Sequence, residues 1–114
     1  MASDPRESIP LYLRVAADLR RSIAEGEAKP GQRLPPARDL AAIAGVNQNT
    51  MFRALRHLRE EGLLEFRRGR GIVVTGTPER GAVLLLAREL LDFARRQGFE
   101  SDEVVGIIKS LGEI

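Results

Sequence analysis

Residues 36–58 read PARDLAAIAGVNQNTMFRALRHL, and one apolar periodicity ends and a second begins inside this run. The first periodicity predicts a short helix from about Pro36 to Ala44, because proline suits the first turn of a helix. We expect this helix to bury Leu40, Ala41 and Ile43. It should end at Gly45, since glycine readily adopts the positive φ that terminates many helices.

The second periodicity predicts another helix, with Asn47 as its N-cap only two residues after Gly45. Its apolar face should consist of Thr50, Met51, Ala54, Leu55 and Leu58. Two short helices joined by a glycine-containing turn are typical of a helix-turn-helix, in which the second helix enters the major groove of DNA. The helix that follows Asn47 is therefore the expected recognition helix.

The sequence on either side extends this pair of helices into a winged module. Upstream, apolar residues three or four apart predict a helix between Pro10 and Gly26, and prolines then predict a turn and an extended link at 29–36. The apolar face of that helix is Tyr12, Val15, Ala16, Leu19 and Ile23. Downstream, two β-prone runs at 63–66 and 72–75 flank a glycine-containing loop, which predicts a hairpin. The expected fold class is mainly α with a small β-hairpin, a winged helix-turn-helix followed by a two-helix tail.

Residues 76–78, GTP, give the clearest linker signal and divide the chain into two parts. We predict a DNA-binding domain at 1–76 and a helical dimerisation tail at 77–114. The tail should hold one helix at 80–97 and a second that starts at Ser101, with Asp102 and Glu103 in its first turn. Helices this short cannot close a core alone, so their apolar residues need either a second copy or the winged module as a partner.

We favour a second copy, because helix-turn-helix proteins ordinarily read two half-sites about one helical turn apart. The tail residues expected to form the dimer contact share an apolar character and a helical spacing. They are Val83, Leu84, Ala87, Leu90, Leu91, Ala94, Val104, Ile107, Ile108 and Leu111. The competing interpretation is that these residues fold back on their own winged module.

The basic residues are concentrated in the predicted DNA-binding part of the chain. Residues 1–75 carry 13 basic and 9 acidic side chains, a formal charge of +4, whereas residues 76–114 carry 5 and 7, a charge of −2. A basic surface is the electrostatic footprint expected of a protein that binds DNA phosphates. Solvated arginines without any partner would give the same totals, so the charge alone leaves both interpretations open.

The exposed face of the recognition helix carries five residues, none of them acidic, namely Gln48, Asn49, Phe52, Arg53 and Arg56. Asn and Gln side chains can pair with adenine and Arg with guanine, whereas residues at the helix start can reach a phosphate. The loop at 67–71 adds three arginines, which repel one another unless a polyanion is present. Arg38 can contact a phosphate or pair with Asp39, and we favour the phosphate. The candidate DNA-binding residues are Arg38, Asn47, Gln48, Asn49, Thr50, Arg53, Arg67, Arg68, Gly69 and Arg70.

The composition excludes or disfavours other classes of site. The chain has no cysteine, which excludes disulfides, thiolate zinc sites and cysteine nucleophiles. Its one histidine, His57, has no evident partners, and Glu60 and Glu61 are interpreted as a solvated helix end, so we expect no metal, no cofactor and no enzymatic activity. The longest apolar run, residues 82–87, is far shorter than the roughly 20 residues of a membrane span, and residues 1–5 lack signal-peptide character. We therefore expect a cytoplasmic protein without a membrane partner.

Two other functions stay open at this level. One is a protein-interaction adaptor on a winged fold that no longer reads DNA, although the arginine loop and the polar helix face argue against it. The other is a sensor of a small-molecule effector whose identity the sequence does not give. The tail is too small to enclose a typical ligand pocket of roughly 300–1,000 Å³, but a dimer interface could form one.

Motifs in a fixed order across residues 9–75 resemble the GntR family of transcriptional regulators. They are PLY at 10–12, LR at 19–20, Gly26, PG at 30–31, LPPARDLA at 34–41, GVNQNT at 45–50, EGL at 61–63 and RGRG at 68–71. The resemblance implies a winged DNA-binding domain in front of a variable effector or oligomerisation region. It implies a DNA backbone contact for Arg38 and entry into the minor groove for Arg68 and Gly69. The residues it places around the start of the recognition helix are Asn47, Gln48, Asn49, Thr50 and Arg53.

A narrower likeness is to the short YtrA subfamily, on the Asn47-x-Asn49-Thr50 pattern and the short tail. Members of that subfamily commonly repress operons that include transporter genes and often their own, and their tail is a two-helix dimerisation element. The likeness implies a homodimeric repressor that binds double-stranded DNA at a palindromic or pseudo-palindromic operator. Two departures, Pro36 for the usual Ser and Gln48 for the commoner Arg or Pro, leave the operator sequence open.

Overall fold

The computed structural model describes residues 9–113, which form five helices and one two-stranded hairpin. In chain order the elements are α1 (Leu11–Ala24), α2 (Ala37–Ala44), α3 (Gln48–Glu60), β1 (Leu64–Arg67), β2 (Gly71–Val74), α4 (Pro78–Arg96) and α5 (Ser101–Gly112). The predicted fold class, mainly α with a small hairpin, is confirmed. Residues 1–8, which include the stretch without signal-peptide character, and residue 114 lie outside the described residues.

The core of the winged module lies between α1, α2, α3 and the hairpin. It is lined by Val15, Ala16, Ile23, Ala37, Ala41, Met51, Ala54, Leu55, Leu58, Leu63, Leu64, Ile72 and Val74. On α3 the buried Met51, Leu55 and Leu58 follow the predicted spacing of three and four, so one face of the helix points inward. Each such side chain contributes about 1.5–3 kcal/mol by leaving water. The core therefore holds the opposite face of α3 toward solvent.

Most residues of the predicted apolar faces are buried or half-buried, and one is open to solvent. Ile43, predicted to be buried, is 78% exposed. Helix α2 has only 8 residues, and Ile43 lies about 200° around it from the buried Ala41, so one narrow face cannot hold both. Thr50 is only half-buried, because it lies in the first turn of α3, beside the N-cap.

The turn between α2 and α3 is fixed by two capping residues. Gly45 ends α2 with φ +70°, a left-handed conformation that favours glycine. Asn47 caps α3, and its side-chain oxygen accepts a hydrogen bond from the Thr50 N–H at 2.8 Å. Both predicted caps are confirmed, and they confine the change of direction between the helices to residues 45–47.

The wing contains a third extended segment besides β1 and β2. The two strands are antiparallel, and residues 68–70 form the loop between them. On the other side of β2, the Leu34 N–H donates to the Ile72 carbonyl at 2.8 Å. Two residues along, the Val74 N–H donates to the Gln32 carbonyl at 2.9 Å. The extended link predicted at 29–36 therefore also pairs with β2 and forms a short third edge of the wing sheet.

Helix α4 packs along α1 and does not stand free of the winged module. It starts directly after the predicted linker, where the Thr77 hydroxyl accepts a hydrogen bond from the Arg80 N–H at 3.1 Å. Gly81 faces the end of α1, and a Cβ there would lie only 3.0 Å from the backbone nitrogen of Ala24. Leu84 packs against the core. One face of the predicted tail thus folds back on the winged module of its own chain.

Helix α5 packs on α4 and extends the molecule. It starts at Ser101, as predicted, and its N-cap is Glu100. The Glu103 carboxylate accepts a hydrogen bond from the Glu100 N–H at 3.1 Å, which stabilises this helix start. The radius of gyration is 15.6 Å, against about 13 Å for a compact chain of roughly 100 residues, because this arm projects from the module.

Candidate nucleic-acid interface

The predicted base-reading residues of α3 are open to solvent. Gln48, Asn49 and Arg53 are exposed, whereas Thr50 is half-buried. The side-chain oxygen of Asn47 is engaged by the Thr50 N–H, so a DNA contact by Asn47 would use its amide nitrogen. The backbone N–H groups of the first turn have no partner within the helix and carry partial positive charge, which favours a phosphate at this end. The start of α3 therefore combines base-pairing side chains with a helix end that attracts anions.

Arg38, in the first turn of α2, keeps an accessible side chain. Its exposed fraction is 75%, and its Nε lies 3.8 Å from the Asp39 carboxylate, which is also largely in water. An exposed ion pair at that distance contributes little, because water screens both charges. Both predicted options for Arg38 are thus present in the geometry, and the weak contact with Asp39 leaves the guanidinium able to reach a phosphate.

The loop of the wing is held by glycines and carries two unengaged arginines. Gly69 has φ +78° and Gly71 has φ +75°, and the Arg70 N–H donates to the Arg67 carbonyl at 3.0 Å to close the turn. Arg68 and Arg70 are exposed, and within residues 9–113 neither forms an ion pair. Their charge is therefore available to a polyanion.

Arg67 differs from its two neighbours, although the sequence grouped all three together. It lies on β1, where its Nε donates a hydrogen bond to the Glu65 carboxylate at 2.8 Å. Residues two apart on a strand share a face, which brings these side chains together. The positive charge of Arg67 is thus largely balanced inside the wing.

Arg33 is a basic residue of this surface that the sequence did not identify. It lies opposite Val73 on the third edge of the wing and is exposed. Its Nε lies 3.8 Å from where a Cβ on Gly71 would stand, so the side chain runs beside the wing loop. The pairing joins segments about forty residues apart, and no local pattern predicts it. The only sequence signal was a basic residue in an extended link.

A buried ion pair joins α1 to the end of α3. Arg20 is 1% exposed, and its Nε and Nη2 donate to the two oxygens of the Glu61 carboxylate, each at 2.8 Å. The interpretation of Glu61 as part of a solvated helix end is therefore wrong, whereas Glu60 is exposed as expected. Arg20 continues the buried stripe of α1 between Ala16 and Ile23, and this position was the signal that could have revealed the pair.

His57 has three partners, which corrects the prediction that it has none. Its Nε2 lies 3.1 Å from Nη2 of Arg88 and 3.4 Å from the Glu61 carboxylate, and its ring meets the Tyr12 ring edge-on. Burial lowers the pKa of His57 below 6.5, and the positive charge of Arg88 adds to that effect while Glu61 opposes it. Because a guanidinium only donates, neutral His57 accepts the bond from Arg88 through Nε2. The contact ties α4 to the recognition helix.

Arg53 is exposed but not unrestrained. Its guanidinium carbon lies 4.0 Å from the centroid of the Tyr12 ring, at the start of α1. A cation at this distance from a ring face is attracted by the π-electron density. The candidate base-reading arginine is therefore held against α1 in the free protein.

The predicted dimerisation residues divide into covered and exposed groups. Leu84 belongs to the edge of the core, Leu91 is half-buried, and Ala94 and Val104 are buried and line an apolar hollow between α4 and α5. Because these four residues are covered within one chain, only the exposed residues of the predicted set stay candidates for the dimer contact. They are Val83, Ala87, Leu90, Ile107, Ile108 and Leu111.

Three large exposed apolar residues that the sequence did not select lie beside this group. Together with its five large members, which exclude Ala87, they form the set that we call the tail stripe. On α4 it consists of Val83, Leu86, Leu90 and Phe93, and on α5 of Val105, Ile107, Ile108 and Leu111. The α4 members recur at intervals of three and four, so they share one face. Leu86 and Phe93 were missed because α4 is apolar on two sides, and periodicity alone cannot tell which side meets α1.

Two other kinds of feature are absent from the described stretch 9–113. No group of three or more His, Asp or Glu side chains there could hold a metal ion. No helix there is both long and apolar enough to cross a bilayer.

The chain matches the family model for bacterial regulatory proteins of the gntR family over residues 11–74. It is 39% identical over 72 residues to the HTH-type transcriptional repressor YtrA of Bacillus subtilis, in a match that covers 63% of this chain and 55% of YtrA. The chain therefore spans about half the length of that relative.

Solved structures share the fold. YtrA from Sulfolobus acidocaldarius, a GntR-family transcription factor, is 30% identical with a TM-score of 0.57, and the match covers 99% of this chain and 97% of that one. The AraR DNA-binding domain in complex with operator ORX1 is 27% identical with a TM-score of 0.57, covering 66% of this chain and 93% of that one. Regulators of this family bind DNA and are not enzymes. The resemblance drawn from the motifs is confirmed, and the chain belongs to the GntR family of bacterial regulatory proteins.

Proposed function

We propose that this protein is a cytoplasmic, homodimeric transcriptional repressor that binds a palindromic or pseudo-palindromic operator. The observation that carries the proposal is the pairing, on one rigid module, of an open polar face on α3 with a wing whose Arg68 and Arg70 have no acidic partner within residues 9–113. The likeness to the AraR domain bound to its operator supports the same assignment. The name of the Bacillus subtilis relative supports repression over activation.

The chemistry of recognition follows from the side chains. Helix α3 enters the major groove, where Gln48 and Asn49 can pair with adenine and Arg53 with guanine. Arg38 and the first turn of α3 hold phosphates, which sets the position of the helix but carries no sequence information. Arg68 and Arg70 place positive charge over the flanking minor groove, with Gly69 allowing close approach. Occlusion of the promoter then represses transcription without any chemical step.

The dimer is proposed to form through the tail stripe. Its eight residues are large and at least two-fifths exposed in the single chain, which is an unusual apolar surface for a monomer of this size. A two-fold axis through this stripe would pair each residue with a symmetric set, as in most homodimers. Two recognition helices related by that axis would read two half-sites about one helical turn apart.

The regulated genes are proposed to include a transporter operon and the repressor's own gene, as in the short subfamily that the motifs resemble. The test is selection of bound duplexes from a random library with the full chain, followed by sequencing. We expect an enriched inverted repeat with half-sites about 10 bp apart. Recovery of the input library without enrichment would contradict sequence-specific binding and favour a protein-interaction adaptor.

A further inference from the structure

We propose that Tyr12 on α1 is a positioning residue that presents the Arg53 guanidinium edge to a base in the major groove. The inference rests on the proposed function, in which Arg53 reads a base. It assigns to α1 a part in sequence discrimination, although none of the candidate DNA-binding residues lies on α1.

The contact with Tyr12 restrains Arg53 without a hydrogen bond. The guanidinium carbon lies over the Tyr12 ring, 4.0 Å from its centroid, so the cation is held by the ring face. Its N–H groups point outward in the guanidinium plane, where a bidentate bond to guanine O6 and N7 requires them. Within residues 9–113 no carboxylate forms an ion pair with Arg53, and the residue is exposed. The side chain is thus restrained without its donors being consumed.

The ring that restrains Arg53 is itself fixed from behind. Tyr12 meets His57 edge-on, with ring centroids 6.3 Å apart and ring planes at 82°. His57 contacts Arg88 of α4 at 3.1 Å and Glu61 at 3.4 Å. The ring under Arg53 therefore rests on His57 of α3, which Arg88 of α4 and Glu61 contact in turn.

Restraint of the Arg53 side chain before binding should increase the affinity for the base that Arg53 contacts. A free arginine side chain loses much rotamer freedom when it is immobilised, and a side chain already held in one orientation loses less. Among the described residues no ring lies under Arg56, which is also exposed on α3 and lines the same shallow depression. Arg56 is therefore the matched reference for a mobile arginine on this helix.

The test compares Tyr12→Leu with Tyr12→Phe in the full chain. Binding is measured to the selected operator and to duplexes with each half-site base pair replaced in turn. We expect Tyr12→Phe to keep the wild-type preferences, because it keeps the ring face. Tyr12→Leu should lose about two- to five-fold in discrimination at one base pair only, the size of an exposed cation–π contact. Combined with Arg53→Ala, it should cause no further loss at that base pair.

Several outcomes would overturn the inference. Tyr12→Leu with unchanged preferences and a lower melting temperature would make Tyr12 a packing residue only. A uniform loss at every position would do the same. A wild-type chain without any base preference would remove the proposed function itself, whereas altered preference in Arg53→Ala but not in Tyr12→Leu would remove only the role of Tyr12.

A second measurement is independent of whether Tyr12→Leu folds. In the free wild-type protein, nuclear relaxation of the arginine Nε groups should show Arg53 more restricted than Arg56 on the nanosecond timescale. Equal mobility of the two side chains would contradict the positioning role.

Discussion

Replacing Arg68 by alanine tests how the wing binds DNA, and its effect can be worked out from the structure. Arg68 is exposed at the tip and has no acidic partner within the described residues, so it can neutralise one phosphate. Each phosphate neutralised contributes about −0.9 to the slope of log binding constant against log salt. A dimer with two wings should therefore lose about 1.8 of this slope.

The same arithmetic gives the change in affinity. Between about 50 and 200 mM salt, one such contact changes the binding constant by about 3.5-fold, and two contacts change it by about 12-fold. Arg68→Ala should therefore weaken binding mainly at low salt. It should do so equally for the selected operator and for random duplex, because a phosphate contact carries no sequence information. Anisotropy titrations of both duplexes at four salt concentrations measure these quantities.

The matched control removes the neighbouring arginine together with its partner. The double variant Glu65→Gln, Arg67→Gln eliminates the 2.8 Å ion pair of β1 without a change in net charge. It should leave the salt slope within experimental error of the wild type. The reasoning is refuted if Arg68→Ala does not flatten the slope, or if the double variant flattens it as much.

Three further predictions concern the scaffold. Arg20→Met leaves the half-buried Glu61 carboxylate without its bidentate partner and should lower the free energy of unfolding by about 3–5 kcal/mol, measured by denaturant titration, with much of the loss recovered in Arg20→Met, Glu61→Leu. Burial lowers the pKa of His57 in the folded state, so its protonation opposes folding. The free energy of unfolding should be highest above pH 6.5 and should fall as the pH drops through the folded-state pKa. His57→Gln should flatten this part of the plot of unfolding free energy against pH. Phe93→Glu places a charge on the tail stripe and should yield a monomer in sedimentation velocity, with weaker operator binding.

Each of these three predictions has an outcome that contradicts it. The ion-pair prediction is contradicted if Arg20→Met is as stable as the wild type. For His57, the contradicting outcome is an acid-side slope that persists in the glutamine variant. For the tail stripe, it is a dimer that survives Phe93→Glu, which would place the dimer contact elsewhere on the chain. The far-UV circular dichroism spectrum of Phe93→Glu should match that of the wild type, because the residue is 55% exposed in the single chain and the protomer fold does not depend on it.

The parts of the fold that depend on local sequence were predictable. The caps at Gly45 and Asn47 follow from the conformations that glycine and asparagine favour, and the apolar spacing of α3 follows from the helical repeat. Leu55 and Leu58 therefore lie where periodicity placed them. The wing loop was predictable for the same reason, since glycines at 69 and 71 allow the positive φ that the turn requires.

The parts that failed depend on contacts between distant segments. The Arg20 to Glu61 pair forms because α1 crosses the end of α3. The place of Arg20 in the apolar stripe of α1 indicated that it is buried, but nothing near it indicated that Glu61 is its partner. The contact of Arg33 with the wing depends on a strand pairing that only the folded chain creates. Ile43 was misplaced because a helix of 8 residues gives periodicity too few turns to define a face.

The tail shows the same division between local and non-local information. Its two helices were predictable, but the face of α4 that meets α1 is determined by Gly81, which lets the helices approach closely at the end of α1. Residues on that face, such as Leu84, are covered within the chain, whereas Leu86 and Phe93 are exposed. Apolar character alone did not indicate which side of α4 is covered by α1 and which is exposed.

Sequence-specific binding by a dimer is the central claim, and one titration tests it most directly. The full chain is titrated against the duplex obtained by selection and against random duplex of equal length at physiological salt. The account predicts saturable binding with two protomers per site and an affinity at least about 1,000-fold above that for random duplex. Equal, weak binding to both duplexes would contradict it and leave a winged fold that does not read DNA.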